Sequence, residues 1–445
     1  KAKVSLMSFA PVQDGEPGGD WDGNVRARFW GKGDGGRPME FTCYFDILVG
    51  QPVKRNLQQG RWLRAVELTR MKAARADRPL MRDRASQLGI DEAALHDNWD
   101  HGPDKTIPNT GGVYAMDFNR DGCTDLMVTD VTLPRGHRLY MGTAEGRMVD
   151  VTEDMKLGRN HFTIPAFVDL DGDGWVDMIN ENGDIFRNLK GESFEDVTPR
   201  TNLAKLARLA LTGKFSGFTL LDYDLDGRMD LYVFRGDSDP TRGSWINGQI
   251  GANTSNQLLR NVGNWMFEDV TETTGADGGK RSTFTTVVLD ADNNQRPDLY
   301  VINEFGNGLL LLNQGPGKAF RSMELVDRAA DFGSMGLTAG DFNNDGHIDL
   351  YVASMYSKSG SRVIGNLKPD AYSPEVMAKL RRMVAGSQLY RNAGGMEFEP
   401  IGKALDVVGV GWAYGPALVD LDNDGYLDIH ATTGFISRTR DKPDG

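Results

Sequence analysis

Short apolar segments alternate with clusters of aspartate, asparagine and glycine along most of this chain. Apolar residues precede an acidic cluster at Ala166–Val168, Val287–Leu289 and Ala417–Val419, and similar segments follow one at Leu231–Val233 and Leu350–Val352. Apolar segments of this length, bounded by turn-forming residues, are typical of buried β-strands. The pattern therefore predicts pairs of strands joined by a polar loop, repeated along the chain.

The polar clusters share one nine-residue pattern that occurs six times. Aspartate or asparagine stands at positions one, three and five, aspartate at position nine, and glycine at position six in all copies but the fourth. Positions one, three, five, seven and nine are Asp117, Asn119, Asp121, Cys123 and Asp125 in loop one; Asp169, Asp171, Asp173, Trp175 and Asp177 in loop two; Asp222, Asp224, Asp226, Arg228 and Asp230 in loop three; Asp290, Asp292, Asn294, Arg296 and Asp298 in loop four; Asp341, Asn343, Asp345, His347 and Asp349 in loop five; and Asp420, Asp422, Asp424, Tyr426 and Asp428 in loop six.

This spacing is that of a calcium loop. Ca²⁺ takes six to eight oxygen ligands, which side chains at alternating positions can supply around one centre. Glycine at position six favours a sharp turn, and position seven can contribute its backbone carbonyl, which leaves its side chain free to vary. The sequence predicts up to six Ca²⁺ ions, with weaker binding in loop four, where Asn294 and Gln295 replace aspartate and glycine. An EF-hand would need glutamate at position twelve and flanking helices, which this pattern lacks.

A second pattern follows the loops and predicts a β-hairpin. Segments such as Leu258–Asn261 and Leu389–Asn392 precede a short glycine-bearing turn, after which come Phe267–Thr271 and Phe398–Glu399. One unit is thus strand, loop, strand, strand, turn, strand, which is the composition of a β-propeller blade. Successive loops begin 52, 53, 68, 51 and 79 residues apart, so the two long steps indicate insertions at about 236–255 and 357–387, the second with a helix from Pro374 to Met383.

These units resemble FG-GAP repeats, also described as VCBS repeats, of the integrin α-chain type. The loops at Asp169, Asp222 and Asp420, together with the hairpins, look most like bacterial and animal proteins related to cartilage acidic protein. The resemblance covers about Gly111 to Ile429. It implies an all-β propeller, with seven blades favoured over six, calcium in the loops, and an extracellular or periplasmic location. It implies no catalytic activity.

The residues before the repeats predict a partly helical N-terminal appendage. We expect an appendage over residues 1–105 and a calcium-binding propeller over 106–445. Val25–Trp30 and Phe41–Val49 indicate two strands, which would complete the propeller; alternatively the chain is a fragment of a longer protein. Trp62–Arg84 is rich in Arg and Lys and places apolar residues on one helical face, so it predicts a helix. That helix is either a solvated one packed on the propeller or a docking element for an acidic partner or anionic lipid.

Composition narrows the classes of function. The formal net charge of −13 argues against a nucleic-acid-binding surface, and six Ca²⁺ ions would nearly neutralise it. No apolar segment is long enough for a transmembrane helix, and a signal peptide is expected to have been removed before Lys1. Cys43 and Cys123 allow one disulfide or two free thiols. Arg235–Asp237 spells an integrin-recognition tripeptide, for which coincidence is the favoured interpretation.

No catalytic pattern stands out. The six histidines have no metal-ligand spacing, and the chain has no nucleophile elbow, phosphate-binding loop or dinucleotide fingerprint. The favoured function is a calcium-stabilised scaffold for another protein or a multi-subunit assembly. The alternative is a propeller domain or accessory subunit of an enzyme acting on polysaccharide or redox partners, with carbohydrate as a possible ligand.

Overall fold

The computed structural model describes residues 2–12, 19–50, 62–75, 83–95, 111–129, 136–157, 162–207, 217–234, 255–279, 281–303, 306–325, 333–356, 358–368 and 371–433. The chain divides into two compact units. One comprises residues 1–83 and 357–373, and the other comprises residues 84–356 and 374–445.

The first unit contains a four-stranded antiparallel sheet in the order β1 (Ala2–Pro11), β2 (Trp21–Lys32), β3 (Pro38–Val49) and β4 (Leu63–Arg75), and helix α4 (Lys358–Gly365), which contacts β1. A 3₁₀ turn at Asp34–Gly36 separates β2 from β3. The two predicted strands therefore exist and pair with each other. All four strands hydrogen-bond within this sheet, and among the described residues none of them joins a sheet of the repeats.

The prediction of a helix over Trp62–Arg84 is wrong for the described part of that segment. Residues 63–75 form β4, and a helix begins only at Ala85. The reason lies in two irregularities of the pairing with β3, between Tyr44 and Phe45 and between Leu48 and Val49. Each one inserts an extra residue into β4 and breaks the two-residue alternation, so the apolar residues acquire a mixed spacing that resembles a helical period.

The register gives this sheet one apolar and one polar face. Cys43 pairs with Ala27 on one side and with Met71 on the other, and alternate residues share that face. The face carries Trp21, Val25, Ala27 and Phe29 from β2, Phe41, Cys43, Phe45, Ile47 and Val49 from β3, and Leu63, Val66, Leu68, Met71 and Ala73 from β4. The opposite face is polar: Ser8 donates to Asn24, Asn24 donates to Asp46, and Arg28 pairs with Glu40 at 2.7 Å.

The second unit consists of consecutive antiparallel sheets. Its four-stranded sheets are β5 (Val113–Met116), β6 (Asp125–Val128), β7 (Arg138–Gly142), β8 (Met148–Asp150); β9 (Pro165–Val168), β10 (Asp177–Asn180), β11 (Ile185–Asn188), β12 (Phe194–Asp196); β13 (Gly217–Leu221), β14 (Asp230–Phe234), β15 (Gln257–Gly263), β16 (Met266–Asp269); β17 (Thr283–Leu289), β18 (Asp298–Asn303), β19 (Leu309–Leu312), β20 (Arg321–Met323); and β21 (Ser334–Gly340), β22 (Asp349–Ser354), β23 (Gln388–Asn392), β24 (Phe398–Pro400). The last described sheet pairs β25 (Ala413–Val419) with β26 (Asp428–Thr433).

Helices are few and short in this unit. The described ones are α1 (Ala85–Leu88), α2 (Leu203–Leu206), α3 (Thr271–Thr274) and α5 (Pro374–Met383), with 3₁₀ turns at Glu92–Ala94 and Thr198–Arg200. Helix α5 confirms the helix predicted in the second insertion. The first insertion lies outside the described residues apart from Ser255. None of the described helices has the length and apolar character that a membrane-spanning helix requires.

Five apolar cores pack each sheet of the second unit against the next. Leu231 and Leu259 of the third sheet pack on Ile179 and Ile185 of the second, for example, and Tyr351 of the fifth belongs to a core with β25 and β26. The first strands of neighbouring sheets also contact each other, as β13 does with β17, β17 with β21 and β21 with β25. Antiparallel four-stranded sheets that pack face to face with adjacent first strands are the blades of a β-propeller, so the predicted β-propeller fold is confirmed. The number of blades stays a prediction.

Candidate metal centres

All six acidic loops have the same backbone conformation. Each connects the first and second strands of its sheet, as predicted. The residues at positions four and six have a positive φ in every loop: Arg120 and Gly122, Gly172 and Gly174, Leu225 and Gly227, Asn293 and Gln295, Asn344 and Gly346, and Asn423 and Gly425. The expected turn at position six is present, and loop four keeps it although Gln295 replaces glycine.

The aspartate at position one organises this turn. In loop two, Asp169 accepts hydrogen bonds from the backbone N–H of Asp173 at 3.1 Å and of Gly174 at 2.8 Å. The same two backbone donors, at positions five and six, point at the position-one carboxylate in the other five loops. The side chain at position five in turn accepts from the backbone N–H of position seven, as Asp173 does from Trp175. The spacing of positions one, five, six and seven is therefore needed for the loop to close.

Carboxylates at positions one, three and nine converge in four loops. Within each group the potential ligand oxygens lie within 4.8 Å of one another: Asp169, Asp171 and Asp177; Asp222, Asp224 and Asp230; Asp290, Asp292 and Asp298; and Asp420, Asp422 and Asp428. Loops one and five carry Asn119 and Asn343 at position three, which offer an amide oxygen instead. Position five does not belong to these groups.

Two buried oxygens test whether these groups fit a cation. Oδ1 of Asp224 and Oδ1 of Asp292, both at position three, are buried and have no hydrogen-bond partner. Burying a carboxylate oxygen without a partner is costly, and a hard cation would remove that cost. The donor set also fits, because carboxylate and amide oxygens are the ligands that Ca²⁺ prefers. The residues present therefore suit a calcium ion held by positions one, three and nine.

The aspartate at position nine ties its loop to the sheet. In loop two, Asp177 Oδ2 accepts from the backbone N–H of Leu170 at 3.0 Å, and Oδ1 accepts from that of Asn188 at 2.9 Å. Burial raises the pKa of Asp177 to about 7, although these hydrogen bonds oppose the shift, and Asp230 behaves in the same way. Burial also raises the pKa of Asp298 and Asp349 to about 6. These carboxylates thus need a positive charge nearby to remain ionised at little cost.

Arginines approach two of the loops. Arg187 lies 2.8 Å from carboxylate oxygens of both Asp171 and Asp173, and Arg260 Nε lies 2.7 Å from Asp224 Oδ2. These arginines precede the asparagine at the end of the third strand. In loop three the contact uses Oδ2 of Asp224, while Oδ1 is buried without a hydrogen-bond partner, so Arg260 holds one oxygen of the carboxylate and neutralises part of its charge.

An asparagine that recurs at or near the end of the third strand in four of the sheets has a role that the sequence did not indicate. Asn188 Nδ2 donates to the backbone carbonyl of Val176 in its own loop at 3.0 Å and to that of Phe118 in the preceding loop at 2.8 Å. The equivalent residues make the same pair of bonds, Asn261 to Met229 and Leu170, Asn313 to Pro297 and Tyr223, and Asn392 to Ile348 and Ala291. We call these four residues the inter-loop asparagines. They link loops two, three, four and five each to the loop of the previous sheet.

Other predicted residues fall outside these centres. Cys43 is buried and Cys123 half-buried, and both are free thiols. His347 Nδ1 lies 3.0 Å from Asn293 Nδ2, which joins loops five and four, while His137 stacks on Phe162 at 4.7 Å. Arg235–Asp237 and three of the histidines, His96, His101 and His161, lie outside the described residues.

Fold and site together define a class of protein: a β-propeller whose blades each carry an acidic turn suited to a divalent cation. A family model described as FG-GAP-like repeat matches the chain at residues 117–180, 169–233 and 290–352. Each match begins at position one of a loop and ends in the second strand of the next sheet. The chain therefore contains FG-GAP-like repeats over these residues, and the matched segments include five of the six loops.

Comparison with curated proteins and with solved structures adds little to this family assignment. No curated protein matches the chain significantly, so the finer resemblance to cartilage acidic protein stays a prediction. Among solved structures, the chain is similar to one titled "Crystal structure of BBS1N in complex with ARL6DN, soaked with mercury", with 11% identity, 73% of this chain and 89% of that chain covered, and a TM-score of 0.36. The structure soaked with lead gives 9% identity, 72% and 89% coverage, and a TM-score of 0.34.

Proposed function

We propose that this chain is a calcium-stabilised extracellular or periplasmic β-propeller that serves as a scaffold for another protein. The observation that supports calcium most directly is the convergence of carboxylates at positions one, three and nine, with buried oxygens of Asp224 and Asp292 that have no hydrogen-bond partner. FG-GAP-like repeats are typical of extracellular proteins, which supports the location.

The residues of the loops explain how cation binding would reach the whole propeller. Three or four carboxylates within one turn repel each other, and Ca²⁺, when bound, supplies the charge that offsets this repulsion. The position-nine aspartate holds backbone donors of its own loop and third strand, and the inter-loop asparagine reaches the previous loop. Fixing one loop therefore fixes the sheet that contains it and its contact with the neighbouring sheet.

The first strands of the sheets favour a scaffold over an enzyme. These strands contact one another from sheet to sheet, and in a propeller they surround the centre, where substrates often bind. Their sequences, from β5, β9, β13, β17, β21 and β25, contain no Asp, Glu, His, Lys or Arg. Acid–base chemistry at this surface would lack the side chains that usually perform it.

Thermal unfolding with and without calcium tests the proposal. We expect a chelator to lower the melting temperature strongly and added Ca²⁺ to restore it, because the ion binds only the folded loops. The double variant Asp169→Asn/Asp171→Asn should lose part of this calcium response. Asp154→Asn is the matched control, because it removes an exposed carboxylate outside the loops. Identical melting curves in calcium and chelator would refute the calcium role.

A further inference from the structure

Strand β4 forms a long open edge of the sheet in the first unit. It has 13 residues, all of them exposed, and among the described strands it pairs only with β3. An edge strand presents a row of backbone donors and acceptors to any strand that can align with it. Edges this long are usually shortened or covered, so β4 is a candidate site for strand addition.

The side chains of β4 specify what could align there. Val66, Leu68 and Met71 lie on the apolar face of the sheet and are 52%, 51% and 57% exposed. Arg70 and Lys72 lie on the polar face, and the Arg70 guanidinium stands 5.6 Å from the centre of the Tyr44 ring. A strand added beside β4 would therefore meet apolar side chains on one face and basic side chains on the other.

Charge distinguishes between the available occupants. Besides Arg70 and Lys72, β4 contains Arg75 and also Arg64, which pairs with Asp20 at 2.8 Å, against the single acidic residue Glu67. A second copy of the chain pairing through β4 would bring two basic strands together, which is unfavourable. An anionic lipid surface would attract these basic side chains but would not supply hydrogen-bond partners for the backbone groups of the edge. An extended acidic segment would offer both attraction and backbone partners.

We propose that β4 binds an extended segment of a partner protein in which acidic and apolar residues alternate, by adding that segment to the sheet as a fifth strand. Backbone hydrogen bonds to the edge supply affinity, and the two alternating sets of side chains supply register and specificity. This proposal gives a site to the scaffold role proposed above. It does not depend on the acidic loops, which belong to the other compact unit.

A synthetic peptide tests the proposal on the full-length chain. The probe is an end-capped, fluorescently labelled peptide of about eleven residues that alternates valine with glutamate, and binding is measured by fluorescence anisotropy. The first control is the same peptide with lysine in place of glutamate, and the second is the glutamate peptide with N-methylated backbone nitrogens. We expect the glutamate peptide to bind at least about tenfold more tightly than either control. Equal affinity for all three would overturn the proposal.

Charge reversal on the protein makes the test sharper. Arg70→Glu/Lys72→Glu should weaken the glutamate peptide about tenfold or more and should favour the lysine peptide instead. Arg147→Glu, an exposed reversal in the other unit, is the control and should change neither affinity. Met71→Lys should weaken both peptides, because it places a charge on the apolar face. Circular dichroism and melting temperature check that each variant is folded.

Three other results would contradict the proposed occupant. Dimerisation of the wild-type chain that Met71→Lys abolishes would assign β4 to a second copy. Binding to vesicles of anionic lipid without binding to the glutamate peptide would assign it to a membrane surface. A folded double variant that loses the glutamate peptide without gaining the lysine peptide would show that charge does not select the occupant of β4. Measuring peptide binding in both calcium and chelator separates failure of this proposal from failure of the calcium role.

Discussion

Replacing an inter-loop asparagine should measure how strongly one propeller blade is held to the next. Asn188 is 1% exposed, and its Nδ2 group donates to the carbonyls of Phe118 and Val176 at 2.8 and 3.0 Å. Its Oδ1 accepts from the backbone N–H of Gly191 at 2.7 Å. Asn188→Ala removes all three bonds and leaves two carbonyls inside the protein without this donor.

The expected loss follows from the cost of these unsatisfied groups. Each buried group left without its partner costs about 1–3 kcal/mol, while Gly191 lies in a turn that water reaches. We therefore expect Asn188→Ala to lower the free energy of unfolding by about 2–4 kcal/mol, a large part of the stability of an ordinary domain. Asn188→Asp should cost at least as much, since it keeps the acceptor but turns an oxygen toward two carbonyls.

Urea denaturation in saturating calcium is the assay, with hydrogen exchange in loop one as a local measurement. Glu192→Ala, an exposed change in the same hairpin turn, is the control and should stay within about 0.5 kcal/mol of wild type. The backbone amides of loop one should be less protected against hydrogen exchange in Asn188→Ala and should keep their protection in the control. If Asn188→Ala were as stable as Glu192→Ala, the contact between successive loops would contribute little, and our account of coupling between blades would be wrong.

Two further predictions concern the loops themselves. Without calcium, the free energy of unfolding should fall as pH rises from about 4 to 7. Asp177 and Asp230 have a pKa of about 7 in the fold against an ordinary value of 3.8, so the folded state binds more protons than the unfolded state in this range. The melting temperature in chelator should therefore be higher at pH 5 than at pH 8, it should depend less on pH in Asp177→Asn/Asp230→Asn, and added calcium should stabilise the protein more at pH 8. Gln295→Gly and Leu225→Gly should each raise the free energy of unfolding by about 0.5–1 kcal/mol, because both residues have a positive φ, 64° and 58°, that glycine adopts without strain. Urea denaturation measures this change, and a lower free energy of unfolding in either variant would contradict the reasoning.

The repeat units were predictable because each one is specified by local sequence. Within a loop, the backbone N–H groups of positions five and six donate to the carboxylate of position one, at most five residues away. The spacing of Asp169, Asp173 and Gly174 in the sequence therefore predicts the turn. The hairpins were predictable for a similar reason: Thr271 at the end of one hairpin accepts from the backbone N–H of Leu258 at its start, 13 residues earlier. Strand pairing within a sheet followed from these two signals.

Contacts between repeats could not be predicted in the same way. Asn188 and Phe118 are 70 residues apart, and the corresponding pair of Asn261 and Leu170 is separated by 91. The recurrence of asparagine after the third strand was a usable signal, but nothing in it identified a carbonyl in the preceding loop as the partner. The edge strand β4 was missed because its two irregularities disguise the alternation of a strand, and only the pairing with β3 reveals which residues share a face.

The metal content of the purified protein tests the central claim most directly. After dialysis against calcium and then against metal-free buffer, elemental analysis should find at least four calcium ions per chain, one for each converging group of aspartates, and Asp222→Asn/Asp224→Asn should lower that number by one. A protein that keeps its fold and retains less than one calcium ion per chain would contradict the account.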